Sequence, residues 1–555
     1  MPTLDFKGKQ YIYSHHHSVP FRELEVDEKK SLPPKGKKAG LDDNLIIHGD
    51  NLHALKALMP QYAGKIKCIY IDPPYNTGNE KWCYNDNVNS PLMKEWLDKN
   101  ANPVDREDLQ RHDKWLCMMW PRMKLLHELL ADDGVIFISI DDIELHHLRM
   151  MLDEIFGEDH HIGTLKRRAA RKAANLAKYK AKNLCDYVVV YCKNRLTSPL
   201  GIEGLEDNTR PVFNTGNKLA DRIIKKGTEA RCSDGKHSSG NYKVKSITYE
   251  IKNDFVIQDG KLVNDIIVHG PFRVDQTLMD RTVYITKNLG LRRYVEESEK
   301  DEIKVISDLV DEKEFYNESA TDFLKLLFGK SIFETPKPVK LMEFIISNYE
   351  SGGEDGELIV LDSFAGSGTT AHAVLDLNKN DGGNRKFILV EMDDYADTTT
   401  AERVRRVING VPTAKDERLK KGLGGSFTFC TLGKEISIEK IITGESLPDY
   451  GSLAKYVFYT ATGHSLDGTP KDRLDFFVGE TDLYEVFLIY KPDVAFLRGN
   501  ESALNDTKLK AIAARGGKKE KLVFATAKYM GQKDLSSLNI TFCQLPYAIH
   551  KVVGA

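Results

Sequence analysis

The chain has 555 residues, 79 Lys and Arg against 82 Asp and Glu, a formal charge of -3, and 41% hydrophobic with 29% charged residues. This balance excludes a largely disordered or collagen-like chain, and no apolar run reaches the roughly 20 residues that a membrane-spanning helix needs. At roughly 150 residues per domain the length predicts three or four domains. The polar N-terminus lacks the apolar stretch of a signal peptide. The eight cysteines include no C-x-x-C pair, so they offer neither a disulfide framework nor a zinc ribbon. The expectation is a cytoplasmic protein with reduced thiols, no metal and no membrane partner.

In chain order, apolar runs bounded by turn residues at 45–47, 68–71, 135–138, 187–191, 358–361 and 387–390 predict buried strands. Helical patterns at 51–59, 118–130, 144–156 and 369–377 separate several of them, which predicts an α/β fold with a largely parallel sheet covered on both faces. Segments 196–330 and 422–555 have shorter strand-like runs, more Gly and Lys, and little alternation. The first is expected to be a domain inserted into the sheet domain, whose halves are 41–195 and 331–421 behind an N-terminal segment 1–40. The second is expected to be a small C-terminal α/β domain. Residues 162–185 carry eight Lys or Arg and no acid. Such a run is often a solvated face, but this one follows a strand of the sheet that carries the motifs below. His15, His16 and His17, at a polar terminus, are expected in an exposed loop rather than in a metal site.

Two motifs carry chemistry. Asp72-Pro73-Pro74-Tyr75 directly follows the strand at 68–71. Its prolines leave a rigid, extended loop with few backbone donors, so its carbonyls can face a ligand. Asp72 and the Pro73 carbonyl supply two acceptors, and Tyr75 supplies a flat face, which suits an exocyclic amine on an aromatic ring. The second motif is Asp362-Ser363-Phe364-Ala365-Gly366-Ser367-Gly368-Thr369, between a strand and a helix. Here glycines permit close backbone approach and the helix N-terminus attracts polar or anionic groups. The next strand ends in Glu391, 25 residues beyond Gly366, near the spacing at which a carboxylate grips ribose hydroxyls. The combination predicts a nucleoside-containing cofactor. Gly329-Lys330-Ser331 looks like the end of a phosphate-binding loop, but residue 324 is Leu where that loop needs Gly.

These two motifs resemble those of S-adenosylmethionine-dependent amino-methyltransferases of DNA. Their order, with the catalytic motif first and the cofactor motif after an insertion, resembles the β group. More specifically, the sequence resembles the modification (Mod) subunit of type III restriction–modification systems. The likeness rests on residues 4–9, 44–52, 71–78, His112-Asp113-Lys114-Trp115 and 133–142 as well. It is good over 1–195 and 331–425 and weak elsewhere. The resemblance implies a circularly permuted, Rossmann-like methyltransferase fold with a seven-stranded, mostly parallel sheet and a target-recognition domain at 196–330. It implies S-adenosylmethionine as cofactor, double-stranded DNA as substrate, a homodimer, and a separate helicase–nuclease (restriction) subunit as partner.

By the same resemblance, Asp72, Pro73, Pro74 and Tyr75 are catalytic. Phe364, Ala365, Gly366 and Gly368 line the methionine and ribose region, with Asp362, Ser367 and Thr369 beside them, and Glu391 binds the ribose. Asp50 contacts the adenine end, and Thr335, Lys337 and Pro338 close over the methionine carboxylate. Lys166, Arg167, Arg168, Arg171, Lys172 and Lys178 are expected to hold DNA phosphates. Tyr187 is weighed as a base-facing aromatic and read as core. The expected acceptor is adenine N6, reached by base flipping, because Asp rather than Ser precedes Pro-Pro-Tyr and the chain has no Pro-Cys pair for cytosine C5 chemistry. The alternatives are a cytosine-N4 or RNA methyltransferase and a non-catalytic DNA-recognition subunit. A dinucleotide-dependent oxidoreductase ranks last, since no G-x-G-x-x-G is completed after Gly366.

Overall fold

The apolar runs of the sequence become the inner strands of one ten-stranded sheet. The computed structural model describes residues 3–77, 111–169, 184–196, 200–202, 209–214, 216–244, 247–296, 304–350, 358–415, 417–436, 441, 447–468 and 470–545. They fall into two units, Met1–Ser198 with Ser307–Ala555, and Pro199–Ile306. In the first, the strands of the ten-stranded sheet are β1 (Arg22–Val26), β2 (Leu45–His48), β3 (Ile66–Ile71), β4 (Leu130–Ile140), β5 (His161–Arg168), β6 (Cys185–Cys192), β7 (Leu309–Val310), β8 (Ile359–Asp362), β9 (Lys386–Glu391) and β10 (Thr428–Glu435). Their order across the sheet is β1-β10-β2-β9-β8-β3-β4-β6-β5-β7. From β10 to β4 every neighbouring pair is parallel. β6 runs antiparallel to both β4 and β5, and β1 antiparallel to β10.

The helices packed around this sheet include α1 (Asn51–Tyr62), α2 (Arg111–Leu129), α3 (Leu145–Phe156), α4 (Asn317–Phe328), α5 (Val339–Glu350), α6 (Thr369–Asp381) and α7 (Glu402–Asn409). Leu52, Leu55 and Met59 of α1 and Trp115, Trp120 and Leu126 of α2 share a buried core with Ile47, Ile69, Ile71, Ile136, Ile138 and Val390 of the sheet. In the sheet, Leu361 of β8 lies opposite Ile69 of β3. From β8 the chain passes through α6 to β9 on one side, and from β3 it passes through α2 to β4 on the other. A crevice at the carboxyl ends of β3 and β8 follows from that divergence, and it is where open α/β sheets bind ligands.

The sheet is wider than the sequence predicts and two boundaries differ. It has ten strands, with β1 and β10 added at one edge and β7 at the other. The segment 428–435, expected in the C-terminal domain, is β10, whose Phe429 and Cys430 are fully buried and pair with Ile46 and Ile47. The C-terminal region proper is a four-stranded sheet of β11 (Phe477–Glu480), β12 (Tyr484–Leu488), β13 (Glu520–Ala525) and β14 (Ile540–Gln544), with helix α8 (Tyr450–Thr462). Finally, the insertion ends near 306 rather than 330. Leu309–Val310 pairs with Lys166 and Arg167 of β5, and α4 buries Ala320, Leu324 and Leu327.

The inserted unit, Pro199–Ile306, is built from short antiparallel pairs around its own core of Val212, Phe213, Ile224, Tyr249, Ile251, Phe255, Ile266 and Val268. His15 and His16 are buried, not exposed. Burial, then the neighbouring His17, Lys56 and Lys124, push the His16 pKa down to about 3, so it stays neutral. No helix among the described residues is long and apolar enough to cross a membrane.

Candidate active site

β3 delivers Asp72 to the crevice, and the loop after it is held at several points. The indole Nε1 of Trp115 on α2 donates to the Pro74 carbonyl at 2.7 Å. Asn76 is fully buried with φ 59, a backbone region few side chains other than Asn or Asp enter readily. Its amide donates to the Arg111 carbonyl at 3.2 Å and to Glu144 Oε1. Glu144 is itself fully buried and also takes His112 Nδ1 at 2.5 Å and His147 Nδ1 at 2.7 Å. Thus a carboxylate between two imidazoles fixes the end of the Asp72–Tyr75 loop.

At the loop's reactive end, the Lys337 ammonium donates to Asp72 Oδ2 and lies 5.0 Å from the centre of the Tyr75 ring. The other oxygen, Oδ1, is buried without a hydrogen-bond partner among the described residues, as is the Tyr75 hydroxyl. An unmet buried acceptor costs about 1–3 kcal/mol, so Asp72 presents an oxygen that a ligand's N–H would satisfy. Burial, then the Asp72 and Asp186 charges, push the Tyr75 phenol well above its ordinary value.

The glycine turn is shaped from both sides. Gly366 and Gly368 have φ 52 and φ 77, and a Cβ on Gly368 would stand 3.0 Å from the Thr400 carbonyl. Glu391 Oε2 accepts the Gly366 N–H at 2.7 Å and Oε1 the Asp393 N–H at 3.0 Å. Behind the turn, Thr400 Oγ1 in the π-helical segment Asp397–Ala401 donates to the Gly366 carbonyl at 2.6 Å. Asp362 accepts from Thr370 Oγ1 at 2.6 Å and from the Phe364 N–H at 3.1 Å. Burial raises Asp362 to about 7, with Asp72 and Glu391 adding to the shift. Burial likewise raises Glu391 to about 7.

Both motifs open into one cleft of about 920 Å³. Asp72, Pro73, Pro74, Tyr75, Thr335, Lys337, Asp362, Phe364, Ala365, Gly366, Ser367, Thr369 and Glu391 all line it. Three predicted residues do not. Gly368 packs against Thr400 at the back of the turn, and Pro338 precedes α5. Asp50 caps α1, accepting the His53 N–H at 3.1 Å, with Arg122 at 3.4 Å. Its neighbour Asn51 takes the lining position, donating to the Ser363 carbonyl at 3.2 Å and accepting from Arg122 Nε at 2.5 Å. Also absent from the sequence reading are Met118, Arg122, Asp186, Asn317, Phe333 and Tyr395. A buried arginine among Trp115, Met118 and Met119 on one helix was a legible signal. Tyr187 is half-buried against the core and does not line the cleft.

The basic run divides. Arg167 is a correction: it is 1% exposed, bound to Asp186 through Nε at 2.7 Å and Nη2 at 2.6 Å, and it donates to the Phe315 carbonyl and Asn317 Oδ1. A guanidinium so enclosed holds Asp186 and Asn317 at the cleft and cannot reach a phosphate. Lys166 is exposed, and Arg168 is half-exposed, 3.7 Å from Asp311. Arg171, Lys172 and Lys178 lie outside the described residues.

An acid with one unmet oxygen, a flat ring and a glycine turn followed by a buried acid therefore share one cleft. The chain belongs to the DNA methylase family, whose model matches residues 66–402. It is 29% identical over 500 residues to the type III restriction-modification enzyme EcoPI Mod subunit of Escherichia phage P1, covering 80% of this chain and 74% of that one. It is 32% identical over 378 residues to the type II methyltransferase M.KpnI of Klebsiella pneumoniae, covering 66% and 84%. The solved PvuII DNA methyltransferase (cytosine-N4-specific) superposes with a TM-score of 0.32 at 15% identity, over 65% of this chain and 86% of that one.

Proposed function

We propose that this chain transfers the methyl group of S-adenosylmethionine to adenine N6 in double-stranded DNA, as the modification subunit of a type III restriction–modification system. The observation that carries the reading is the single cleft lined by both Asp72–Tyr75 and the Gly366–Glu391 pair. On this reading β2-β9-β8-β3-β4-β6-β5 is the seven-stranded methyltransferase core, permuted so that the catalytic half comes first. The cleft suits the cofactor: its acids would balance a sulfonium and an ammonium, and the glycine turn would admit close approach. The bound cofactor supplies a methyl already activated by the sulfonium, so no metal or covalent enzyme intermediate is required.

The chain's own task is to prepare the nucleophile. The lone pair of an aromatic amine is delocalised into the ring. Asp72 Oδ1 accepts one amine N–H and the Pro73 carbonyl the other, which favours a pyramidal nitrogen. These bonds tighten as positive charge develops on nitrogen, so they stabilise the transition state more than the ground state. The surplus proton leaves along the hydrogen bond to Asp72. Tyr75 stacks on a base flipped out of the duplex, which cannot reach this cleft while paired. The unit Pro199–Ile306 reads the target sequence, while Lys166, Arg168, Arg171, Lys172 and Lys178 hold phosphates without choosing sequence. The active form is a homodimer that joins a separate restriction subunit.

The test is Asp72→Ala. It should bind S-adenosylhomocysteine as the wild type does and transfer no methyl group to DNA; full transfer would refute the assignment. Mass analysis of nucleosides from DNA treated with the wild type separates N6-methyladenine from N4-methylcytosine. Target-sequence reading by the insertion fails if exchanging 199–306 with a relative's segment leaves the methylated sequence unchanged.

A further inference from the structure

Arg403 of α7 is a cation without an anion among the described residues. It is 1% exposed, and its Nη1 donates only to neutral groups of the glycine turn: Ser367 Oγ at 2.9 Å, Thr369 Oγ1 at 2.8 Å and the Ser367 carbonyl at 3.3 Å. Its Nε is buried with no partner among the described residues. The Phe323 ring lies 5.8 Å away, and the nearby His372 is held neutral by burial and by the Arg403 charge, so it supplies no anion. Burial pulls its pKa down to about 9, with no acid opposing the shift. Arg167, equally buried, is matched by the two oxygens of Asp186. Burying an unmatched charge is costly, so the enclosure of Arg403 calls for a compensating anion.

The cleft places that anion. Its lining acids are Asp72, Asp186, Glu334, Asp362, Glu391 and Asp393, and its two lining cations are both engaged, Lys337 by Asp72 and Arg122 by Asn51 and Asp50. An anionic ligand group is therefore repelled from most of the wall. The exception is the start of α6, whose N-cap is Gly368, a residue with no side chain to accept from the first-turn N–H groups. Open amides at a helix N-terminus favour negative charge, and Arg403 stands directly behind them, bonded to the Ser367 and Thr369 hydroxyls.

We propose that Arg403 is the counter-charge for the methionine carboxylate of the cofactor, acting through the Ser367 and Thr369 hydroxyls and the first turn of α6. It is a positioning residue: it orients the amino-acid end of the cofactor without touching the reacting atoms. The inference rests on the cofactor reading above and changes one part of it, since the family resemblance gave this role to Thr335, Lys337 and Pro338, and the one cation among them, Lys337, has its ammonium on Asp72.

Two ligands separate the roles. S-adenosylhomocysteine carries the carboxylate, whereas 5′-methylthioadenosine keeps the nucleoside and sulfur without the amino acid. Isothermal titration of both into the full chain gives their affinity ratio. Arg403→Gln, which keeps N–H donors but removes the charge, should weaken S-adenosylhomocysteine tenfold or more and leave 5′-methylthioadenosine within twofold; Arg403→Lys should restore much of the ratio. Equal weakening of both ligands would mean that Arg403 only supports the turn, and unchanged affinities would mean that it sees no anion. A ratio that collapses in Lys337→Met but not in Arg403→Gln would assign the carboxylate to Lys337. Each of these overturns the proposal. Failure of the wild type to bind either ligand would instead overturn the cofactor reading.

Discussion

Glu391 should make nucleoside binding depend on pH. Both its oxygens accept backbone N–H groups, yet its burial lifts the carboxyl to about 7. Ribose hydroxyls donate to a carboxylate far better than to a carboxylic acid. With a value near 7, about one molecule in eleven is ionised at pH 6 and about ten in eleven at pH 8. If the ionised form alone binds, the affinity for 5′-methylthioadenosine falls about tenfold from pH 8 to pH 6, or about 1.4 kcal/mol. This ligand has no amino-acid group to titrate, so the dependence reports on the protein. Calorimetry in two buffers of different ionisation enthalpy would also show about 0.9 proton released per ligand at pH 6 and about 0.1 at pH 8. Glu391→Gln should bind weakly at both pH values and flatten the profile. Asp362 also sits near 7, but Thr370 and Phe364 engage its oxygens, so any slope left in Glu391→Gln belongs to it. A flat wild-type profile, or a variant that keeps the whole slope, would refute the reasoning.

Two further outcomes follow from buried charges. Arg167→Ala leaves Asp186 without its partner and should cost about 3–5 kcal/mol in urea unfolding, while the salt dependence of DNA binding stays as in the wild type; a salt slope reduced by about one would instead make Arg167 a phosphate contact. The hydrogen bond to Glu144 raises His147 above its ordinary 6.5. Its stabilising contribution is therefore complete below pH 6.5 and lost as pH rises through the folded value, so the melting-temperature gap between wild type and His147→Gln should shrink from pH 6 to pH 9. Parallel melting curves would dismiss the pair.

The parts of the molecule that were legible in the sequence are those where local pattern and burial agree. The six central strands were apolar runs because both faces of a parallel sheet are covered, and each motif lay at the end of one of them. β1 and β5 escaped because Arg22–Val26 and His161–Arg168 mix charge with apolar residues, as edge-side strands do. Arg167 misled because a sequence shows charge but not the acid that neutralises it from the next strand. Asp50 and Asn51 exchanged roles because only folding decides which of two adjacent polar residues caps the helix and which faces the cleft. Arg403 gave no signal at all, since an arginine in a helix rich in arginine reads as solvated.

The two chemical halves of the cleft are joined by backbone pairing between β3 and β8 rather than by neighbouring sequence. The stretch between Cys192 and Leu309 is thus a detour in sequence only, since β6 before it and β7 after it belong to the same sheet. On the function proposed above, rewriting that excursion would alter which DNA sites are chosen while the methyl donor and the nucleophile keep the same address.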